Sequence, residues 1–90
     1  MQIKSILYSS DFINQLKKLP ENIKKLAVKK EALFKKNPLH PSLRLHGLKG
    51  KLSGLFSISL TLNYRIIFKR KDSGEIIFIS IGKHDIYEHL

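Results

Sequence analysis

Residues 55–82 read LFSISLTLNYRIIFKRKDSGEIIFISIG, and this stretch decides the fold. Its first eight residues alternate between apolar and small polar side chains, which is the pattern of a strand with one buried face. The dipeptide at 63–64 and the run KDSG at 71–74 predict tight turns before and after the second strand. The stretch therefore predicts three consecutive antiparallel strands. The first spans 55–62 and is expected to carry Ser57 and Ser59 on an open face.

The N-terminal half predicts one more strand and two helices. Residues 3–8, IKSILY, are typical of a short strand. Phe12, Ile13, Leu16 and Leu19 follow at helical spacing, and a second helix is expected to start at Pro20 and end before Pro38. The predicted order is β-α-α-β-β-β. This is an α+β fold in which a helical hairpin packs on one face of a twisted, mainly antiparallel sheet, and the other face stays exposed.

Length and composition narrow the class of protein. Ninety residues predict a single domain, 1–90. The absence of cysteine excludes disulfides and thiolate metal sites. No apolar run approaches the roughly 20 residues that span a bilayer, and the N-terminal residues lack the apolar segment of a signal peptide. We therefore expect a cytoplasmic protein without a membrane-spanning segment.

The charge of the chain points to an anionic partner. Lys and Arg number 17 against 7 Asp and Glu, a formal net charge of +10. Between Glu31 and Asp72 there is no acidic residue. Such an uncompensated field repels itself and favours binding to a polyanion, so the distribution predicts contact with nucleic acid. A solubilising surface, an anionic membrane or an acidic protein partner are the alternatives.

Two familiar kinds of site do not fit the sequence. The C-terminal residues His84, Asp85, Glu88 and His89 are metal-ligand types, but their spacing is not that of a known zinc site, and adjacent ligands on extended chain point apart. The glycines of the segment 47–51 lack the spacing of a phosphate-binding loop. We therefore expect no metal and no cofactor.

Phosphoryl chemistry without a metal fits the sequence better. Cleavage of RNA by its own 2′-hydroxyl needs a base, a cation for the phosphorane and an acid for the leaving oxygen. Histidine can exchange protons near neutral pH, arginine grips two phosphate oxygens, and tyrosine stacks on a base. The start of the second strand of the meander and the end of the third lie at the same end of the sheet, so Tyr64, Arg65 and His84 can converge. The wider candidate set adds His46, Lys49, Lys51 and Tyr87.

Residues 45–87 resemble the C-terminal half of the RelE/ParE toxin superfamily. The resemblance is carried by LKGKLSGLFS at 48–57, NYRIIF at 63–68 and IGKHDIY at 81–87, and the β-α-α order of the N-terminal half agrees with it. It implies the toxin of a type II toxin–antitoxin pair. Members similar to RelE, YoeB and YafQ cut mRNA in the ribosomal A site without a metal, whereas ParE-like members poison DNA gyrase.

The resemblance also implies roles for single residues. Arg65 matches the arginine that steadies the phosphate, His84 the general acid, and Tyr87 an aromatic residue that aligns the substrate. RNA-binding positions are Lys49, Lys51, Tyr64 and Lys69. His46 stands where YafQ-like toxins have a further catalytic histidine. An Asp-Trp pair of those toxins is Asn63-Tyr64 here, so the general base stays open between His46 and Asp85.

The sequence thus predicts a ribosome-dependent mRNA endonuclease that leaves a 2′,3′-cyclic phosphate. Its expected partners are the mRNA, the ribosome and an acidic antitoxin that wraps the basic helices and the open groove. One alternative is a gyrase-poisoning toxin in which Arg65 and His84 have no catalytic role. Another is an RNA-binding protein without activity, in which Arg65 is a solvated strand residue and Tyr64 packs in a turn.

Overall fold

A computed structural model describes residues 2–90, except for the side chain of His89. Seven helices and strands follow one another as β1 (Ser5–Tyr8), α1 (Ser10–Lys17), α2 (Glu21–Lys36), β2 (His46–Gly47), β3 (Leu55–Ser59), β4 (Arg65–Arg70) and β5 (Glu75–Gly82). Short 3-10 turns span Pro41–Leu43, Gly50–Leu52 and His84–His89. The predicted α+β architecture is confirmed, with one additional short strand in the connector between α2 and β3.

The sheet has the strand order β1-β5-β4-β3-β2. Strand β1 runs parallel to β5, and all other neighbours are antiparallel. Between β4 and β5 the register shifts, because Ile67 pairs with Ser80 while the next residue, Phe68, pairs with Phe78. Ile79 is therefore left over in β5 as a bulge, which increases the local twist of the strand.

Both helices are fixed to the sheet by identifiable contacts. Ser9 caps α1: its Oγ accepts a hydrogen bond from the Phe12 amide at 3.0 Å and donates one to the Ile79 carbonyl at 2.7 Å. Helix α2 ends at Lys36, two residues before Pro38, as expected for a chain that approaches proline. It anchors on the core through Phe34, whose ring centroid lies 5.0 Å from that of Phe68. The core between helices and sheet is thus largely aromatic at its centre.

The predicted strand 55–62 was too long, and its open face was wrong. Strand β3 ends at Ser59, after which the Leu60 amide donates to the Tyr64 carbonyl at 2.8 Å and closes a loop. Ser57 is fully buried and Ser59 is 6 % exposed. The register shows larger side chains beside both serines on this face, because Ser57 is opposed by His46 and Ile67, and Ser59 by Arg65.

The structure also bears on the membrane question. Among residues 2–90, no helix combines the length and the apolar character that crossing a membrane would require.

Candidate active site at one end of the sheet

Arg65 lies at the end of the sheet where β3 and β5 finish and β4 begins. It pairs with Ser59 of β3 on one side and with Gly82 of β5 on the other. Residues directly opposite each other in antiparallel strands share a face, so the Arg65 side chain stands between two small neighbours. The arginine is half-buried, and its guanidinium can grip two oxygens of one phosphate.

His84 and Tyr87 follow Gly82 in the C-terminal 3-10 turn. Their ring centroids are 5.3 Å apart at an angle of 49°. His84 is exposed and Tyr87 half-buried. The turn folds back over Gly82, where an added Cβ would lie only 2.6 Å from Cγ2 of Ile86. The missing side chain at Gly82 is therefore what lets this turn sit close to the strand end that carries Arg65.

Tyr64 contributes a half-buried ring at the same end of the sheet. It packs against the hydrophobic core, and the Lys83 Nζ lies 5.5 Å from its ring centroid, within the range of a cation–π contact. Lys83 was not among the predicted site residues. The sequence could have indicated Lys83, because it lies between Gly82 and His84 in the C-terminal motif. A cation adjacent to a candidate acid is well placed to meet a phosphate.

His46 is held in an orientation that leaves one ring nitrogen free. Its Nδ1 lies 3.0 Å from the carbonyl oxygen of Arg44. A carbonyl oxygen only accepts, so Nδ1 carries the proton of this hydrogen bond, and Nε2 of the neutral ring is the unprotonated nitrogen. The side chain is exposed. His46 can therefore accept a proton through Nε2.

Ser57 lies next to His46 and has an unusual hydroxyl. The two residues are directly opposed in the β2–β3 pair. Among the described residues with buried polar side-chain atoms, the Ser57 Oγ is the atom without a hydrogen-bond partner. An unpaired buried hydroxyl costs free energy, typically about 1–3 kcal/mol. The Ser57 hydroxyl is therefore an unpaired hydrogen-bonding group inside the protein, on the same face of the sheet as His46.

The pairing register relates His46 to Arg65. Ser57 and Ser59, their respective partners on β3, are two residues apart and share a face. Two residues along the strands and two strand spacings across the sheet put the Cα atoms of His46 and Arg65 on the order of 12 Å apart. A ligand bound between them can contact both side chains.

The register does not bring the predicted RNA-binding lysines to this end. Lys49 and Lys51 belong to the exposed turn before Leu55, and Leu55 pairs with Lys69 at the far end of β3. Lys69 shares the face of Arg65 but stands four residues along β4, about 14 Å away. These lysines stay candidates for RNA contact at some distance from Arg65.

Asp85 faces a shallow cleft of about 280 Å³ on the helix side of the strand ends. The residues that share this lining include Gln15 of α1 and Lys18 directly after it, together with Tyr64 and Lys83. The Gln15 side-chain oxygen accepts hydrogen bonds from the Ser80 hydroxyl and the Ile81 amide, both at 2.9 Å, and so holds α1 against β5. Among the described side chains, which leave out His89, no three His, Asp or Glu residues lie close enough together to hold a metal ion.

Comparison with solved structures identifies the fold. YafQ from Escherichia coli strain BL21(DE3) superposes with a TM-score of 0.76 at 21 % identity, over 91 % of this chain and 94 % of that one. A YoeB/ParE toxin from Agrobacterium tumefaciens gives 0.74 at 16 %, over 93 % and 99 %. The E. coli DinJ–YafQ toxin–antitoxin complex gives 0.74 at 21 %, over 96 % and 97 %. Neither the models of known protein families nor the curated protein sequences give a match.

At identities of 16–21 %, the comparison with solved structures shows the fold of this chain. The matched structures cover nearly the full length of both chains. The chain has the RelE-like fold, and the resemblance found in its sequence is confirmed as a likeness of structure.

Proposed function

We propose that this chain, whose fold is that of the RelE/ParE toxins, is the toxin of a type II toxin–antitoxin pair and cleaves mRNA on the ribosome in the cytoplasm. The observation that carries the proposal is the register Ser59–Arg65–Gly82. This register supports the proposal because Arg65, the proposed phosphate ligand, pairs with Gly82, and the turn that bears His84 and Tyr87 begins two residues later. Neither partner of Arg65 in this row is a carboxylate, so no acidic neighbour in the row neutralises the guanidinium.

The proposed reaction is attack of the 2′-hydroxyl on the adjacent phosphorus. The O2′–P bond forms and the P–O5′ bond breaks, leaving a 2′,3′-cyclic phosphate and a 5′-hydroxyl. His46 Nε2 accepts the proton of the 2′-hydroxyl, and His84 donates a proton to the departing O5′. Arg65 stabilises the charge that builds on the phosphorane oxygens. Exchange with water then returns both histidines to their starting states.

The remaining aromatic residues position the RNA. Tyr87 lies beside the His84 ring, where it can stack on an unpaired base and hold the scissile phosphate in line. Tyr64, with Lys83 near its ring, supplies a second aromatic surface and a positive charge. Lys49, Lys51 and Lys69 contact RNA further along the sheet.

The proposed partner is an acidic antitoxin, and an apolar groove offers it a place to bind. The groove has a volume of about 150 Å³ and lies between β1, α1 and α2. Its lining includes Ile13 and Val28, of which Val28 is 68 % exposed. Exposed apolar side chains in a groove are typical of protein interfaces. The lysines on the outer faces of the helices complement an acidic partner.

The test is to induce the chain in cells and map the 5′ ends of ribosome-bound mRNA. We expect cuts at a fixed position within codons, and their loss in Arg65→Ala and His84→Ala. His40→Asn serves as a matched control, because His40 lies outside the site and asparagine keeps an acceptor for the Ser42 amide, which His40 Nδ1 binds at 3.1 Å. Growth arrest with DNA breaks and intact mRNA would instead establish a gyrase poison. Growth arrest without DNA breaks and without mRNA cuts would instead favour a protein that binds RNA but does not cleave it.

A further inference from the structure

A second cleft lies at the opposite end of β4 from Arg65. It has a volume of about 600 Å³ and is bounded by the end of α2, the β4–β5 hairpin and the N-terminal segment. Four cationic side chains line it, and they come from three separate parts of the chain: Lys4, Lys35, Lys36 and Arg70. We call this feature the hairpin cleft.

The positive charge of the hairpin cleft is not balanced by ion pairs. Asp72 is its single acidic lining residue. Among the side chains that the structure describes, the one ion pair closer than 4.0 Å joins Lys24 to Glu21, on the first turn of α2 and away from the cleft. Four cations around one concavity repel one another, and an anion bound among them relieves that repulsion.

The chemistry of the lining favours a phosphate backbone over a protein. Ile3 and Pro38 are the apolar members of the described lining, so the hairpin cleft offers little of the apolar contact that protein interfaces use at their centre. Lysine and arginine together are the usual ligands of phosphate oxygens. In contrast to the hairpin cleft, the groove between β1, α1 and α2 is lined by apolar residues such as the exposed Val28.

The shape of the ligand can be inferred as well. None of the described lining residues is aromatic, whereas proteins bind single strands largely by stacking bases on aromatic rings. Paired RNA is recognised through its backbone and needs no such ring. A cationic lining of this kind is therefore better suited to the backbone of paired RNA than to unpaired bases.

We propose that the hairpin cleft binds the phosphate backbone of base-paired RNA, as an anchoring site separate from Arg65. Five residue steps along β4 separate Arg70 from Arg65, a distance of about 17 Å. The two ends of the sheet therefore contact different phosphates. The inference rests on the proposed function in that RNA is the ligand, but it concerns binding and not cleavage.

The test measures binding of a short RNA hairpin whose 2′-hydroxyls are all methylated, so that cleavage by 2′-hydroxyl attack cannot occur. Affinity is followed between about 50 and 200 mM salt. Removing two phosphate contacts with Lys36→Ala/Arg70→Ala is expected to reduce the slope of log K against log salt by about 2. The control, Lys17→Ala/Lys25→Ala, removes the same charge from exposed positions outside the cleft and should leave the slope near that of the wild type.

Three other outcomes overturn the proposal. Equal losses in both double variants would show that only net charge matters. A loss confined to an unpaired RNA of the same length would assign the cleft to single strands. A loss of affinity for poly-glutamate without a loss for the hairpin would assign it to an acidic protein. Because the probe is uncleavable, a selective loss supports the anchoring site even if the wild-type chain leaves mRNA intact and the nuclease proposal fails.

Discussion

The two candidate histidines differ in how their rings are held. His46 is oriented by the Arg44 carbonyl, which leaves Nε2 as the acceptor nitrogen. His84 has Tyr87 as a ring neighbour and sits in the turn after β5. The orientation of His46 supports its proposed role as the proton acceptor, whereas the proposed role of His84 as the proton donor rests on its place in the C-terminal motif.

A substrate with sulfur in place of the 5′-oxygen tests that assignment. A thiolate leaves without protonation, so a missing general acid no longer slows the reaction. On normal RNA, His84→Ala should reduce the rate of a single turnover by about 10²–10⁴-fold. On the sulfur-containing RNA, most of that loss should disappear for His84→Ala and persist for His46→Ala. Rescue of the His46 variant instead would reverse the two roles.

The buried hydroxyl of Ser57 provides a second test at the level of one atom. Because the Ser57 Oγ has no partner, Ser57→Ala should raise the free energy of unfolding by about 1 kcal/mol, as measured by urea titration. Because this hydroxyl is fully buried and out of reach of RNA, the same variant should keep its cleavage activity. A variant that is less stable would mean that the hydroxyl is satisfied in solution.

At the scale of single elements, the C-terminal turn depends on Gly82. Gly82→Ala would put a methyl group 2.6 Å from Cγ2 of Ile86, and such overpacking typically costs about 1–3 kcal/mol. We expect lower stability in thermal unfolding and slower cleavage, because the turn that carries His84 is pushed away.

The double variant Gly82→Ala/Ile86→Ala should recover part of the activity, since it removes the clashing group. Gly47→Ala is the matched control: its Cβ would meet the Phe56 ring at 3.6 Å, an ordinary contact. Full activity in Gly82→Ala would show that the position of the turn is unimportant.

The contact between β1 and α2 gives a prediction about pH. Tyr8 donates a hydrogen bond to Glu31. Burial, this hydrogen bond and the Glu31 charge together raise the pKa of Tyr8 from its ordinary value of 10.0 to about 12. The folded protein therefore keeps the proton that the unfolded chain has lost between these values, so the free energy of unfolding should fall as the pH rises from about 10 to 12.

Glu31→Gln should lower the pKa of Tyr8, as followed by tyrosinate absorbance, but should not return it fully to the ordinary value, because burial is the largest cause. Tyr8→Phe should remove the late-titrating tyrosine altogether. An unchanged titration in Tyr8→Phe would assign the high pKa to another tyrosine.

The helices and strands could be predicted from the sequence wherever the spacing of the apolar residues is regular. Both helices and the β4–β5 hairpin followed from spacing and turn residues. The end of β3 did not, because Leu60 and Leu62 continue the strand-like alternation, although Leu62 is 75 % exposed. The chain turns there because the Thr61 hydroxyl accepts hydrogen bonds from the Asn63 and Tyr64 amides, both at 3.1 Å. A local side-chain contact of this kind competes with strand pairing and leaves the apolar pattern unchanged.

At the scale of the whole molecule, the sequence predicted only in part which candidate site residues lie at which end of the sheet. The convergence of Arg65 with the C-terminal turn follows from the meander alone. The position of Lys49 and Lys51 at the other end depends on β2, a two-residue strand too short to give a periodic signal. The hairpin cleft joins Lys4, Lys36 and Arg70, which are far apart in sequence and meet only through the tertiary fold.

The surface between the helices makes a separate prediction for antitoxin binding. Ile13→Asp/Val28→Asp adds two carboxylates to the apolar groove, where they would be desolvated by a bound partner. We expect affinity for the antitoxin to fall by at least about tenfold, so that the variant stays toxic when the antitoxin is co-expressed. Ala32→Asp places a carboxylate on an exposed position of α2 outside the groove and should remain neutralised. Neutralisation of the double variant would place the antitoxin elsewhere.

The parallel pairing of β1 with β5 has a consequence for folding during synthesis of the chain. Ser9, at the end of β1, donates to a carbonyl 70 residues later in the chain. During synthesis the first strand and both helices emerge long before the strand that pairs with β1, so the nascent chain cannot close its sheet early. Because Arg65 pairs with β5 and the turn bearing His84 follows that same strand, a chain interrupted before β5 lacks the proposed site. Under the proposed function, activity then arises in one step with the completion of folding, when an antitoxin already present can bind each new molecule.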